Sequence, residues 1–227
     1  MDDRPLLESL LADSPDDLAT WQAYADHLIE RGDRWGDVIA RACAGKPDQL
    51  RQAEAEDTMV GALVGVTFTW KLGVIAELEL APAPLAEQNH RVPMADALAR
   101  VLAHPAGRLV RTLVLGPPPN YERDVALVPV IAGAGMLPLL TELILVSPSS
   151  PATVVDELAT SSFLSRLRIL ELSLDVLDPE VPKHLLQHHA AFRHLIALRL
   201  TSGHETPALR NIEIRAPRHA IHRHPLV

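Results

Sequence analysis

VRTLVL (110–115), LTELIL (140–145), LRILEL (167–172) and LIALRL (195–200) are four copies of one hexad, apolar-x-x-apolar-x-apolar. Two further copies flank them, IAELEL (75–80) before and LRNIEI (209–214) after, so that successive starts lie 35, 30, 27, 28 and 14 residues apart. Each hexad closes on a two-residue alternation, the pattern of a strand that buries one face and shows the other. Leu137, Leu164 and Phe192 add an apolar residue three positions ahead of three of the copies.

Between hexads, residues 126–136, 153–163 and 182–192 read as helices. A strand plus a helix cannot bury its own apolar side. Stacked copies bury it continuously, with parallel strands on an inner wall and helices on an outer wall. The expected fold is therefore α/β, a solenoid spanning residues 65–216. The last spacing is too short for a helix, so 209–214 reads as a closing strand. Residues 65–70 and 73–81 read as two strands joined by a tight turn at Lys71-Leu72. Residues 45–64 read as a polar linker running into a helix.

Residues 1–44 predict three helices. The first covers about 5–12, with Leu6, Leu7, Leu10 and Leu11 on one face. The second starts with Ser14 as cap and Pro15 in its first turn, beside Asp16 and Asp17. Its apolar stripe is Leu18, Trp21, Tyr24, Ala25 and Leu28, and Gly32 supplies a left-handed stop. The third covers about 36–43. Asp26, Glu30, Arg31 and Asp33 crowd the end of the second helix, where they satisfy orphan backbone groups.

Two resemblances follow from these motifs. The string PDDLATWQAYADHLIERGDRWGDVIA resembles the short bacterial repeat-companion domain that precedes leucine-rich or other repeats. The match runs through Tyr24-Ala25-Asp26, Glu30-Arg31-Gly32-Asp33 and Gly36-Asp37-Val38-Ile39. His27 stands where that family often has Trp, and Asp37 where it often has Glu. The hexads are similar to leucine-rich repeats of the ribonuclease-inhibitor type. They depart in lacking the asparagine three positions past the hexad, where Pro118, Pro148, Asp175 and Gly203 stand. Together the resemblances imply a helical companion domain ahead of a repeat array, and no enzymatic activity.

Composition fits that reading. The 227 residues are 48% hydrophobic and 22% charged, with 4% aromatics, so the core must be aliphatic. Net charge is -8, and all of it resides in residues 1–108, which hold 10 basic and 18 acidic residues. That acidity argues against a phosphate-backbone partner. Cys43 alone permits no intrachain disulfide. MDDRPLLESLL has no basic-then-apolar leader pattern, and no membrane span is read. The expected location is the cytoplasm.

The hexad frame names the outward side chains. Val114, Ile144, Val146 and Ile169 are expected to form an apolar patch. Glu79, Glu142 and Glu171 are expected to form an acidic line, and Arg199 and Arg215 a basic end. An apolar centre inside a charged rim suits a protein interface. The same frame turns Ala81, Gly116 and Ala197 outward.

Chemical motifs are weak. His184 and His188 lie four apart on one helix, but the sequence offers no third ligand at a telling spacing and no His-Glu-x-x-His. His189 and His194 read as decoration of an outer helix, and residues 217–227 as a basic His-rich tail. Cys43 on an apolar face should be unreactive. Ser147, Ser149 and Ser150 sit in a turn without a nucleophile elbow. LGPPPN (115–120) lacks the row of N–H groups that a phosphate loop needs. No cofactor or metal is expected. The expected function is a non-catalytic adaptor that binds another protein, with no nucleic-acid or membrane partner. The alternative is a regulatory or inhibitory subunit, or a protease substrate, in a bacterial stress or defence pathway. A cryptic hydrolase stands behind both.

Overall fold

A computed structural model of the chain describes residues 3–60, 65–81, 94–117, 127–134, 137–148, 150–174, 179–202 and 212–215. It is an α/β protein. Helices α1 (Arg4–Asp13), α2 (Leu18–Glu30), α3 (Trp35–Cys43) and α4 (Gln49–Val60) lead into a hairpin of β1 (Val66–Lys71) and β2 (Val74–Leu80). Strand and helix then alternate through α5 (Met94–Ala103), β3 (Thr112–Leu115), α6 (Leu127–Gly133), β4 (Glu142–Val146) and α7 (Pro151–Thr160). The series continues with β5 (Ile169–Leu174), α8 (Glu180–Gln187), α9 (His189–Phe192), β6 (Ala197–Ser202) and β7 (Ile212–Arg215).

The strands lie side by side in chain order, β1 to β7. β2 to β6 are parallel, and β1 and β7 join the edges antiparallel. The register aligns the hexads residue for residue. Leu78, Leu113, Leu143, Leu170 and Leu198 form one row, and Leu80, Leu115, Leu145, Leu172 and Leu200 the next. Both rows are buried against a core shared with Leu98, Ile131, Leu158 and Leu185 from α5 to α8. α4, α5, α6, α7 and α8 each pack on the next along that side. A backbone ladder extends the alignment one step earlier, with amides of Arg111, Thr141, Arg168 and Ile196 donating to carbonyls of Ala76, Arg111, Thr141 and Arg168.

Several local expectations need correction. Asp17, not Ser14, caps α2: its carboxylate accepts the amides of Ala19 and Thr20 at 3.2 and 3.3 Å. Ser14 instead ends α1, its amide bonded to the Leu10 carbonyl. On α1, Leu11 is buried while Leu6 and Leu10 are exposed, so the four leucines do not share one buried face. The hairpin turn is Leu72-Gly73, one residue later than read: Lys71 pairs with Val74, and the two residues between them have positive φ, +50° and +79°, as a type I′ loop takes. The helix read over 182–192 breaks at His188 into α8 and α9. α5 was not anticipated. Gly32 does stop α2: its amide bonds to Ile29 and that of Asp33 to Leu28. Gly36 is needed for close approach, since a Cβ there would lie 2.6 Å from the Ala25 carbonyl oxygen. Pro118, Asp175, Gly203, Ser149 and the tail lie outside the described residues.

The N-terminal helices sit on the edge where the strands begin. Leu11, Trp21, Tyr24, Ala25, Leu28 and Ile39 pack with Val74, Leu109 and Leu139, the residues just ahead of the first three hexads. The next two hexads have Arg166 and His194 at that position. One buried polar group ties the two layers. Glu8, 1% exposed, takes Arg108 in a two-point bond, Nε to Oε1 at 3.0 Å and Nη2 to Oε2 at 3.2 Å. Arg4 Nε and the Tyr24 hydroxyl also donate to Oε1, at 2.9 and 3.2 Å. Burial pushes the Tyr24 phenol up to about 12. Trp35 adds an indole N–H bond to the Gly73 carbonyl at 2.9 Å. Glu8→Gln keeps the shape and removes the charge that three side chains address through four hydrogen bonds. It should lower unfolding free energy by about 1–3 kcal/mol in a urea titration; an unchanged midpoint would mean that the clasp contributes nothing.

Candidate interaction surface

Alternation along each strand puts one set of side chains into the helix-covered core and the other on the opposite face. On that face the described residues are half-buried or exposed, apart from Gly116 and Ala197. Pairing sorts them into levels. Glu77, Thr112, Glu142, Ile169 and Ala197 form the first; Glu79, Val114, Ile144, Glu171 and Arg199 form the second. Val146, Ser173 and Thr201 follow as a third.

The predicted apolar residues come together. Ile144 lies beside Val114 on the neighbouring strand, and Val146 follows it along β4. Ile169 sits on β5 one level down, opposite Glu142 and so diagonal to Ile144. All four are half-buried.

The charged residues are arranged otherwise than expected. Glu79 and Glu171 share a level, but Val114 and Ile144 stand between them, and Glu142 belongs to the level below. The glutamates therefore flank the apolar patch on two sides and do not form a line. Arg199 is not a free basic end either: its Nη1 is 3.5 Å from Glu171 Oε2. Arg215 pairs in register with Ala197 and Glu213 with Arg199, and their side chains lie outside the described ones. Gly116 and Ala197, read as outward, are buried. Thr112 Oγ1 donates to Glu142 Oε2 at 3.4 Å.

Other candidates fall away from this face. His184 and His188 do meet a third group that sequence reading missed: Asp156 Oδ1 on α7, at 2.7 Å from His184 Nδ1 and 3.0 Å from His188 Nε2. The signal was present, because Asp156 and His184 are 28 residues apart, one repeat spacing. Among the described residues no group of three or more His, Cys, Asp or Glu is arranged to hold a metal ion. His194 lies in the turn before β6 and not on a helix, its Nε2–H donating to the Leu164 carbonyl at 2.7 Å. The Cys43 thiol is half-buried and pushed up by burial, away from a reactive thiolate. Ser150 precedes α7 without a side-chain capping bond. A cleft of about 360 Å³ lies on the strand-start edge between α1 and the turns carrying Thr141, Ser165 and Arg168. Among the described residues no helix is long and apolar enough to cross a membrane.

The His184 hydrogen bond foremost, then the His184 charge and the hydrogen bond and charge of His188, hold the Asp156 carboxyl below its ordinary range. A lowered carboxyl stabilises the folded chain above the usual carboxylate range, and that gain is lost as pH falls through the lowered value. Asp156→Ala should therefore melt below the native chain at pH above the carboxylate range, with the gap closing as pH falls through that range. A gap that does not change with pH would remove the carboxylate from the α7–α8 contact.

Comparison with family models, curated proteins and solved structures finds no match to this chain.

Proposed function

We propose that this chain is a non-catalytic protein-interaction module that captures another protein through the open face of its sheet. The observation that carries the reading is Ile144, half-buried at the centre of Val114, Val146 and Ile169 with glutamates on two sides. Central apolar anchors within a polar rim are where binding energy concentrates.

In the same reading the chain is a leucine-rich-repeat solenoid over residues 65–216, with a repeat-companion domain at 1–44. Support for the array comes from parallel strands in chain order and a register that matches hexad to hexad. Support for the companion domain comes from its packing along the first three strand starts, where it buries Val74, Leu109 and Leu139. The acidic face favours a protein over a nucleic acid. A lone cysteine fits a reducing cytoplasm.

The test is recovery of a stoichiometric partner from the native host by the tagged chain and by Ile144→Asp, with both melting curves recorded. A buried anchor is worth about 2 kcal/mol or more, so the variant should lose roughly 30-fold in affinity while melting as the native chain does. Equal recovery by the two proteins would rule this face out.

A further inference from the structure

The open face carries more information than its apolar centre. Among its described side chains, Glu77, Glu79, Glu142 and Glu171 are acidic and Arg199 is basic. Arg199 is already engaged by Glu171. Glu77 and Glu79 make no ion pair among the described residues, and Glu79 is exposed. The face therefore presents net negative charge around Val114 and Ile144.

The spacing is also defined. The second level runs Glu79, Val114, Ile144, Glu171 across β2, β3, β4 and β5. Adjacent strands are about 4.8 Å apart, so Glu79 and Glu171 stand about 14 Å from each other. An α-helix advances about 5.4 Å per turn. A helix laid across the strands thus places roughly one turn over each. Positions i, i+3, i+7 and i+10 share one helix face and span about 15 Å.

We infer that this face takes a cationic amphipathic helix of a partner protein, lying across β2 to β5. Lysine or arginine at i faces Glu77 and Glu79, apolar residues at i+3 and i+7 rest on Val114 and Ile144, and a second cation at i+10 faces Glu142 and Glu171. The inference rests on the interaction reading above and adds the chemistry and direction of the occupant. Opposite charge at the ends fixes the helix along the level, and the apolar pair supplies the desolvated centre.

The probe is a fluorescein-labelled helical peptide with Lys at i and i+10 and Leu at i+3 and i+7. Two controls carry Glu in place of both Lys, or Ser in place of both Leu. Anisotropy is read against the full chain, Glu79→Lys and Ile144→Asp, each checked for native melting. The Lys–Leu peptide should bind the native chain and weaken about ten-fold or more between low and high salt. It should weaken by about as much on Glu79→Lys. Both control peptides and Ile144→Asp should show no binding. No binding by the Lys–Leu peptide, or binding indifferent to salt and to Glu79→Lys, overturns the cationic assignment. If Ile144 dependence of the native partner survives that result, the interaction reading stands without it; if Ile144→Asp binds as the native chain does, both fall. Sedimentation of the chain alone is the last arm: an Ile144-dependent dimer would make the occupant a second copy and overturn the inference.

Discussion

The row formed by Leu78, Leu113, Leu143, Leu170 and Leu198 holds the rest of the structure in place. A strand–helix unit of this length leaves its apolar face in water, and it gains burial only from the unit before and the unit after. Parallel pairing in one fixed register lets each leucine rest between its neighbours. A slip of one residue would turn every leucine to the open face and every glutamate inward. The backbone ladder at the second position of each hexad, from Ala76 to Ile196, fixes the same register independently of the side chains.

That arrangement leaves a strand-start edge to be covered. At the strand-start edge the first three rungs expose Val74, Leu109 and Leu139, and α1 to α3 bury them. Further along, the equivalent positions are Arg166 and His194, and there the edge meets the cleft beside α1. The helical segment thus covers the rungs whose sequence is apolar. The Glu8–Arg108 clasp and the Trp35–Gly73 bond orient it, and Trp35 also meets the His104 ring edge-on at 5.0 Å between centroids.

The strands were legible because alternation and spacing both report on burial, and burial is what the repeat optimises. The residue-level features missed were those that depend on a neighbour in space. α5 carries a readable stripe of Met94, Ala97, Leu98, Val101 and Leu102, yet the long gap between the first two hexads disguised it. Asp17 caps α2 in place of the expected Ser14, because a turn at Pro15-Asp16 delays the helix start to Leu18. The apolar patch followed from the hexad frame, but the placement of charges around it needed the register. Once the repeat length is known, lateral pairs are readable too: Thr112 with Glu142, Glu171 with Arg199 and Asp156 with His184 are 30, 28 and 28 residues apart. Nothing in the sequence linked Glu8 to Arg108, 100 residues away.

The proposed interaction role depends on this sheet being open on one face and continuous across β2 to β6. Inter-strand nuclear Overhauser contacts in the isotope-labelled chain read that continuity directly. The account predicts a parallel set joining Leu113 to Leu143, Leu143 to Leu170 and Leu170 to Leu198, in that order. Antiparallel contacts between these hexads, or hexads joined out of chain order, would contradict it.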